Sequence, residues 1–192
     1  MAQKLNELNI WLNTEFVGTW RKKAGREELR YNDEWLVSIL GRPLSLSLPF
    51  TPGNQPHRGN TVQFYFDNLL PDSRDIRERL ATKFRANSAS SFDLLVELGR
   101  DCVGAIQLLK TGEEPKGITE ISCSALTEFD VANILRRTVA SNPLGHRDEA
   151  DELRLSLAGA QEKTALLWHG NQWCMPHDAT PTTHIFKLPL GL

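Results

Sequence analysis

Cysteine is scarce in this sequence, with only three among 192 residues, at positions 102, 123 and 174. None of them forms a CxxC pair, and the five histidines are scattered without an HxxxH spacing. A structural zinc site needs paired ligands a few residues apart, so the sequence predicts no such site. Unpaired cysteines in odd number are typical of reduced thiols, which favours a cytoplasmic protein.

Long hydrophobic runs are also missing. No apolar stretch approaches the roughly 18 residues of a membrane-spanning helix, and the N-terminus lacks a basic segment followed by an apolar one. We therefore expect neither a membrane span nor a signal peptide. The net charge of −2 argues against direct nucleic-acid binding by the whole chain, because such surfaces need a local excess of Lys and Arg.

The composition that remains, 40% apolar and 24% charged residues, suits one medium domain or two small ones. Alternating apolar residues predict an N-terminal hairpin, a third, edge strand and one further strand. These strands are residues 8–12, 16–20, 29–31 and 44–48. Asp33 is predicted to cap a short helix that runs to Leu40. Residues 51–60, with two prolines and two glycines, predict a surface loop.

Helical signals follow an apolar cluster at residues 64–70. Asp72, with Asp75 three residues later, is predicted to cap a helix. Its apolar face is formed by Ile76, Leu80 and Phe84. Five of the six residues on its other faces are basic, so either an acidic partner docks there or the face is simply solvated. The six are Arg74, Arg77, Glu78, Arg79, Lys83 and Arg85.

Two more helices have capping patterns. Ser90 with Asp93 predicts a helix that Gly99 ends, and a strand at residues 103–109 follows. Thr127, with Asp130 three residues later, is predicted to cap the other helix.

Residues 111–124 are rich in Gly, Pro, Thr, Ser and Glu, which predicts a linker or lobe boundary. We therefore divide the chain into residues 1–110 and 111–192. The mixture of strands and helices predicts an α+β fold.

Candidate chemistry is concentrated in residues 153–187. Three leucines alternate with polar residues at 153–157 and predict a strand, which a loop of small and polar residues follows. The later elements are an apolar run at 164–168, a turn at 169–171 and strands at 173–175 and 182–188. Strand, small-residue loop, strand and a strand-borne lysine form the layout of a nucleotide-binding kinase lobe.

The loop at residues 158–163 has the chemistry to hold phosphate. Small residues let backbone N–H groups approach phosphate oxygens, and Lys163 at its end or Lys187 on the last strand could neutralise their charge. The loop has one glycine and matches neither GxGxxG nor a Walker A motif, so a plain strand turn is the alternative.

Ser156, at the mouth of that loop, could hydrogen-bond phosphate or accept a phosphoryl group; an exposed strand serine is the alternative. Cys174, beside Trp173 and Met175, is expected to be a buried apolar filler.

Six motifs in order give the chain a resemblance to a known family. They are RPLSLSLP at 42–49, FDNLLPD at 66–72, FDLL at 92–95, GRD at 99–101, SLAGAQEK at 156–163 and PTTHIFK at 181–187. In this order they resemble the HipA-type serine/threonine kinase toxins of type II toxin–antitoxin modules, over nearly the whole chain.

The resemblance implies a phosphatidylinositol-kinase-like fold that uses ATP and Mg²⁺. It also implies a small DNA-binding antitoxin of the HipB type, hence an indirect link to DNA, and phosphorylation of a translation factor such as glutamyl-tRNA synthetase that favours persistence. The site residues it implies are Ser156 as the autophosphorylated serine, Ala158, Gly159, Ala160, Gln161, Glu162 and Lys163 as the nucleotide loop, and Lys187 as the lysine that contacts ATP.

The family's catalytic Asp, its Mg²⁺-binding Asp and its helical lobe are expected beyond Leu192, so the chain resembles the family's N-terminal portion. We expect the chain alone to transfer no phosphate. A non-catalytic module that restrains a toxin and an inert product of a decayed toxin gene are the alternatives.

Overall fold

A computed structural model describes residues 6–102, 104–116, 120–139, 163–177 and 180–187. Within these ranges the chain forms two antiparallel sheets and five α-helices. The predicted α+β class is confirmed. The predicted strand at 153–157, Ser156 within it and loop residues 158–162 lie outside the described residues.

The first sheet has five strands in the order β4-β3-β2-β1-β5. Their bounds are β1 Glu7–Leu12, β2 Glu15–Lys23, β3 Arg26–Tyr31, β4 His57–Arg58 and β5 Ile106–Lys110. The predicted hairpin is confirmed, since β1 pairs with β2 from Glu7 opposite Arg21 to Leu12 opposite Glu15. The prediction that residues 29–31 form an edge strand is wrong, because β4 covers the outer side of β3.

Helices pack on this sheet and enclose the main core. The helices are α1 Asp33–Val37, α2 Asn60–Asp67, α3 Arg74–Phe84 and α4 Ser91–Leu98. The fully buried Trp20 of β2 stacks on Phe66 of α2 at a ring-centroid distance of 3.8 Å and meets the edge of Phe92 of α4 at 4.8 Å. Aromatic contacts therefore fix both helices on the sheet.

The predicted strand at 44–48 is wrong, and these residues form a turn. The Leu48 N–H donates to the Ser45 carbonyl at 3.0 Å, and the Ser45 hydroxyl accepts from the Ser47 N–H at 3.2 Å. The Tyr31 hydroxyl donates to the Leu48 carbonyl at 2.6 Å and accepts from the Leu44 N–H at 2.9 Å. Serine side chains and one tyrosine thus take the backbone groups that a strand would have paired.

The predicted surface loop at 51–60 is only partly correct. It contains a short 3-10 helix, Pro52–Asn54, and the β4 strand. The buried Asn54 amide donates to the Tyr31 carbonyl at 2.8 Å and to the Asp33 carboxylate at 2.6 Å. The segment is therefore tied to the sheet.

Two of the four predicted caps are confirmed. The Ser90 hydroxyl accepts from the Asp93 N–H, and the Thr127 hydroxyl accepts from the Asp130 N–H at the start of α5, Glu128–Val139. The other two are wrong by one position. Asn32 rather than Asp33 is the N-cap residue of α1, which ends at Val37 rather than Leu40. Ser73 rather than Asp72 caps α3, accepting from the Ile76 N–H. Asp72 is left exposed before the helix, which matters for the site.

The second sheet has four strands in the order β6-β8-β7-β9. They are β6 Cys123–Leu126, β7 Lys163–His169, β8 Gln172–Pro176 and β9 His184–Lys187. A two-residue turn at Gly170 and Asn171, both with positive φ, joins β7 to β8 as a type I′ hairpin requires.

The predicted run at 164–168, the turn and the strand at 173–175 are confirmed, while the last strand begins at His184 rather than residue 182. The predicted linker ends too late, because Cys123 and Ser124 already belong to β6. The division at residue 110 stays a prediction. Among the described residues, no helix has the length and apolar character to cross a membrane.

Candidate functional site

The two lysines singled out in the sequence are direct partners across neighbouring strands. Lys163, at the start of β7, lies opposite Lys187, at the end of β9. Side chains at opposed positions of antiparallel strands project from the same face, so both ammonium groups stand on one side of the sheet. Like charges at such positions repel each other. The sheet therefore presents a concentrated positive charge that an anion would stabilise.

The electrostatics of Lys163 agree with this arrangement. Partial burial lowers the pKa of Lys163, the charge of Lys187 lowers it further, and the carboxylate of Asp72 opposes both effects. Asp72 comes from the N-terminal half of the chain, just before α3. Lys187 and Asp72, from distant parts of the sequence, thus both influence the charge of Lys163, and no sequence pattern indicated the contribution of Asp72.

The opposite face of the same sheet is aromatic. The ring of Trp173 lies 4.8 Å from that of Trp168 and 5.0 Å from those of His184 and Phe186. Trp168 and Trp173 are register partners, and Phe186 lies opposite Thr164, one residue from the lysine pair. The face was not predicted, although the alternation of His184 and Phe186 along β9 was a signal for it. The lysine pair and the aromatic cluster therefore project from opposite faces of the sheet.

Beside Asp72 is an open cavity of about 390 Å³, lined by Asp67, Asp72, Arg74, Arg77 and Ala89. Arg77 donates to the Asp67 carboxylate at 2.6 Å, and the Ser91 hydroxyl also hydrogen-bonds to it. The pKa of Asp67 is lowered, and the hydrogen bond from Arg77 is the main cause. Asp67 therefore joins α2, α3 and α4 as a structural carboxylate, while Asp72 remains exposed.

The basic face of α3 is largely neutralised by its own neighbours. Arg74 pairs with Glu78 one turn later at 2.8 Å, and Arg77 pairs with Asp67. Lys83 lies 5.4 Å from the centroid of the Phe84 ring. These contacts favour a solvated helix face over a docking site for an acidic partner.

Cys174, His177 and His184 each have their own surroundings and contacts. Cys174 is buried, as predicted for a filler residue. His177 hydrogen-bonds to the Ser124 hydroxyl at 2.7 Å, whereas His184 hydrogen-bonds to the Thr183 hydroxyl at 2.8 Å. In the part of the chain that the structure describes, no three His, Cys, Asp or Glu side chains cluster as metal ligands.

Comparison with known proteins shows which family the chain belongs to. The family model of the HipA N-terminal domain matches residues 8–109, more than half of the chain. The chain belongs to the HipA N-terminal domain family. One similar protein is Y4mE of Sinorhizobium fredii, whose name describes a candidate kinase. It is 34% identical over 189 residues, and the match covers 96% of this chain and 43% of Y4mE. The serine/threonine-protein kinase toxin HipA of Shewanella oneidensis is 24% identical over 159 residues, covering 83% of this chain and 34% of the toxin.

A solved HipA structure has the same fold. In the complex of Shewanella oneidensis HipA and HipB with operator DNA, one chain matches with a TM-score of 0.66 at 24% identity, covering 94% of this chain and 40% of that one. This chain therefore spans less than half the length of these relatives. The family model ends before β7, whereas the similarity to Y4mE covers 96% of the chain.

Proposed function

We propose that this chain is the N-terminal region of a HipA-like serine/threonine protein kinase toxin and contributes the phosphate-binding edge of its ATP site. The observation that supports this most directly is the pairing of Lys163 with Lys187 on one sheet face. Membership in the HipA family and similarity to a protein named as a HipA kinase toxin support it independently.

The residues present fit a phosphate group. An oxygen-rich anion between the two ammonium groups would be held by charge-assisted hydrogen bonds and would remove their mutual repulsion. In this proposal Lys187 contacts the α- and β-phosphates of ATP, and Lys163 closes the nucleotide loop formed with Ala158, Gly159, Ala160, Gln161 and Glu162. ATP, with Mg²⁺, would supply the phosphoryl group. We place the magnesium ligands outside this chain.

Ser156 is proposed as the regulatory phosphorylation site of the same kinase. It lies two residues before the nucleotide loop, so a phosphoserine there would add negative charge close to the lysines. That charge would compete with ATP for Lys163 and Lys187. Because this chain alone is expected to transfer no phosphate, the test is peptide mass spectrometry of the full-length kinase after incubation with ATP and Mg²⁺.

The proposed partner is a HipB-type antitoxin, through which the protein would be linked to operator DNA. The support is that a chain with this fold was solved with HipB and operator DNA. A translation factor such as glutamyl-tRNA synthetase is the proposed substrate. Co-purification with an antitoxin encoded beside the gene, with and without its operator DNA, would test the partner.

A non-catalytic binding module is the second candidate. The main hydrophobic core lies entirely between Leu8 and Leu108, within the residues that the family model matches. A self-contained subdomain could bind a partner without any nucleotide. Such a module would have no use for the lysine pair, so nucleotide binding separates the two candidates.

The test is titration of the purified protein with ATP, ADP, AMP and adenosine, each with Mg²⁺, by calorimetry. Affinity should fall with each phosphate removed and should weaken as salt rises, since the contact is electrostatic. Equal affinity for ATP and adenosine, or no binding of either, would reject the proposed phosphate site.

A further inference from the structure

Two of the three cysteines lie side by side in the second sheet. Cys123 on β6 is opposite Pro176 of β8, and Cys174 on β8 is opposite Ala125 of β6. Because Cys174 is two residues from Pro176, its side chain projects from the same face as that of Cys123. The two cysteines are therefore diagonal neighbours on adjacent strands.

The two thiols also interact. Burial raises the pKa of Cys174 first, and a hydrogen bond with the Cys123 thiol raises it further. Cys174 is buried, with its sulfur 3.9 Å from the carbonyl oxygens of His169 and Gln172, whereas Cys123 is partly exposed. A dissolved oxidant can therefore reach the Cys123 thiol, whereas the neighbouring Cys174 thiol is shielded from solvent.

Cys102 provides an internal contrast. It is buried beside the first sheet, where its thiol lies 3.4 Å from the Gly99 carbonyl oxygen. Burial raises its pKa to about 12, so very little thiolate is present at neutral pH.

We propose that Cys123 and Cys174 are a redox-active pair that forms a reversible disulfide between β6 and β8. The oxidant is a peroxide. The Cys123 thiol loses its proton, the thiolate attacks one peroxide oxygen, and the O–O bond breaks. Cys123 becomes a sulfenic acid, and the departing hydroxide takes up the released proton as water. The Cys174 sulfur then attacks the Cys123 sulfur, the S–O bond breaks, and a second water departs with the Cys174 proton. Two thiols and one hydrogen peroxide give one disulfide and two waters.

The geometry favours a reversible bond over a permanent one. Diagonal neighbours in an antiparallel pair have Cα atoms about 7–8 Å apart, slightly beyond the roughly 4.4–6.8 Å of an unstrained disulfide. The bond therefore requires β6 to shift towards β8. Since β6 is the edge strand, paired only with β8 in the described sheet, it can move. A strained disulfide is more easily reduced, and a small thiol such as glutathione would return the pair to its reduced state.

The experiment treats the purified protein with hydrogen peroxide and maps its disulfides by proteolysis and mass spectrometry without reductant. We expect one linked peptide pair, Cys123 with Cys174, which dithiothreitol separates. Because the bond closes a long loop, the oxidised protein should unfold at a Tm higher by about 5 °C. The Cys123→Ser variant should lose both effects, and the Cys102→Ser variant should keep them.

Three outcomes would overturn the proposal. Peroxide could leave all three thiols free, convert Cys123 to sulfinic acid without a bridge, or link two protein molecules through Cys123. Alkylation of thiols under denaturing conditions before and after oxidation distinguishes these outcomes, because only the intrachain bridge removes two thiols from a monomer.

Discussion

At the scale of single residues, the site is a balance of three charges. Lys163 and Lys187 repel each other across β7 and β9, and the Asp72 carboxylate partly compensates for Lys163. Two lysines opposed across neighbouring strands destabilise the fold by charge repulsion. Functional sites often retain such destabilising residues, which is consistent with a site for an anion. In the proposed phosphate site, Asp72 would moderate how strongly the lysine pair attracts phosphate.

Replacing Asp72 by asparagine should strengthen ATP binding several-fold, because a carboxylate near the phosphates repels them. The gain should be larger for ATP than for AMP, absent for adenosine, and smaller at high salt. Calorimetric titration measures this, with Asp75→Asn in the first turn of α3 as the matched control. Weaker ATP binding in Asp72→Asn would mean that the carboxylate orients Lys163 instead.

Glu27 predicts a pH dependence of stability. It is buried beside the Trp20 indole, whose N–H donates to its carboxylate at 3.1 Å, and burial raises its pKa above the ordinary value of 4.5. As the pH rises through 4.5, the unfolded chain ionises more readily than the folded one, so this residue increasingly destabilises the fold until its own raised pKa is passed.

Glu27→Gln keeps the acceptor for Trp20 but cannot ionise. We expect the variant to have the higher Tm at about pH 7 and little advantage at about pH 4. Thermal unfolding of both proteins across this range tests the sign. A variant less stable than the parent at neutral pH would show that the charged carboxylate is instead well compensated, through Trp20 and Lys22.

At the scale of elements, residues 44–48 alternate like a strand in the sequence but form a turn in the folded chain. In a strand, Leu44, Leu46 and Leu48 would share one face, whereas in the turn Leu48 is fully buried and Leu46 fully exposed. Leu48→Ala should therefore cost about 2–5 kcal/mol of unfolding free energy and Leu46→Ala less than about 0.5 kcal/mol. Urea unfolding of the two variants measures both losses of free energy. Equal losses would support a strand at residues 44–48 instead of the turn.

The same segment explains what the sequence could predict. The Ser90 and Thr127 caps were predictable because donor and acceptor lie three residues apart. The 44–48 turn was not, because the Tyr31 hydroxyl that holds it lies 13 and 17 residues away and competes with strand pairing.

The candidate site divides in the same way. Residue chemistry was sufficient to select Lys163 and Lys187, and the β7–β8 hairpin followed from its turn residues. Their direct opposition depends on the register between β7 and β9, which no local pattern fixes. The approach of Asp72 depends on how α3 lies relative to the second sheet, and only the folded structure contains that information.

At the scale of the whole molecule, the buried residues favour an N-terminal unit that folds by itself. The main core runs from Leu8 to Leu108, and Arg100 pairs with Glu113 at 2.8 Å just beyond β5. We expect a fragment of residues 1–113 to unfold cooperatively in urea with dispersed amide signals in NMR spectra. A fragment without cooperative unfolding would show that the second sheet is required for the first.

The central claim is that the lysine pair binds nucleotide phosphate, and the most direct measurement is the ATP affinity of Lys187→Thr. Its control is Lys23→Thr, because Lys23 also faces a like charge, Arg26, across a hairpin far from β9 in the sequence. We predict that Lys187→Thr weakens ATP binding about 10-fold or more, the scale of a lost charge-assisted hydrogen bond, without lowering the Tm. Lys23→Thr should leave ATP affinity unchanged. Unchanged ATP affinity in a folded Lys187→Thr protein would contradict the account.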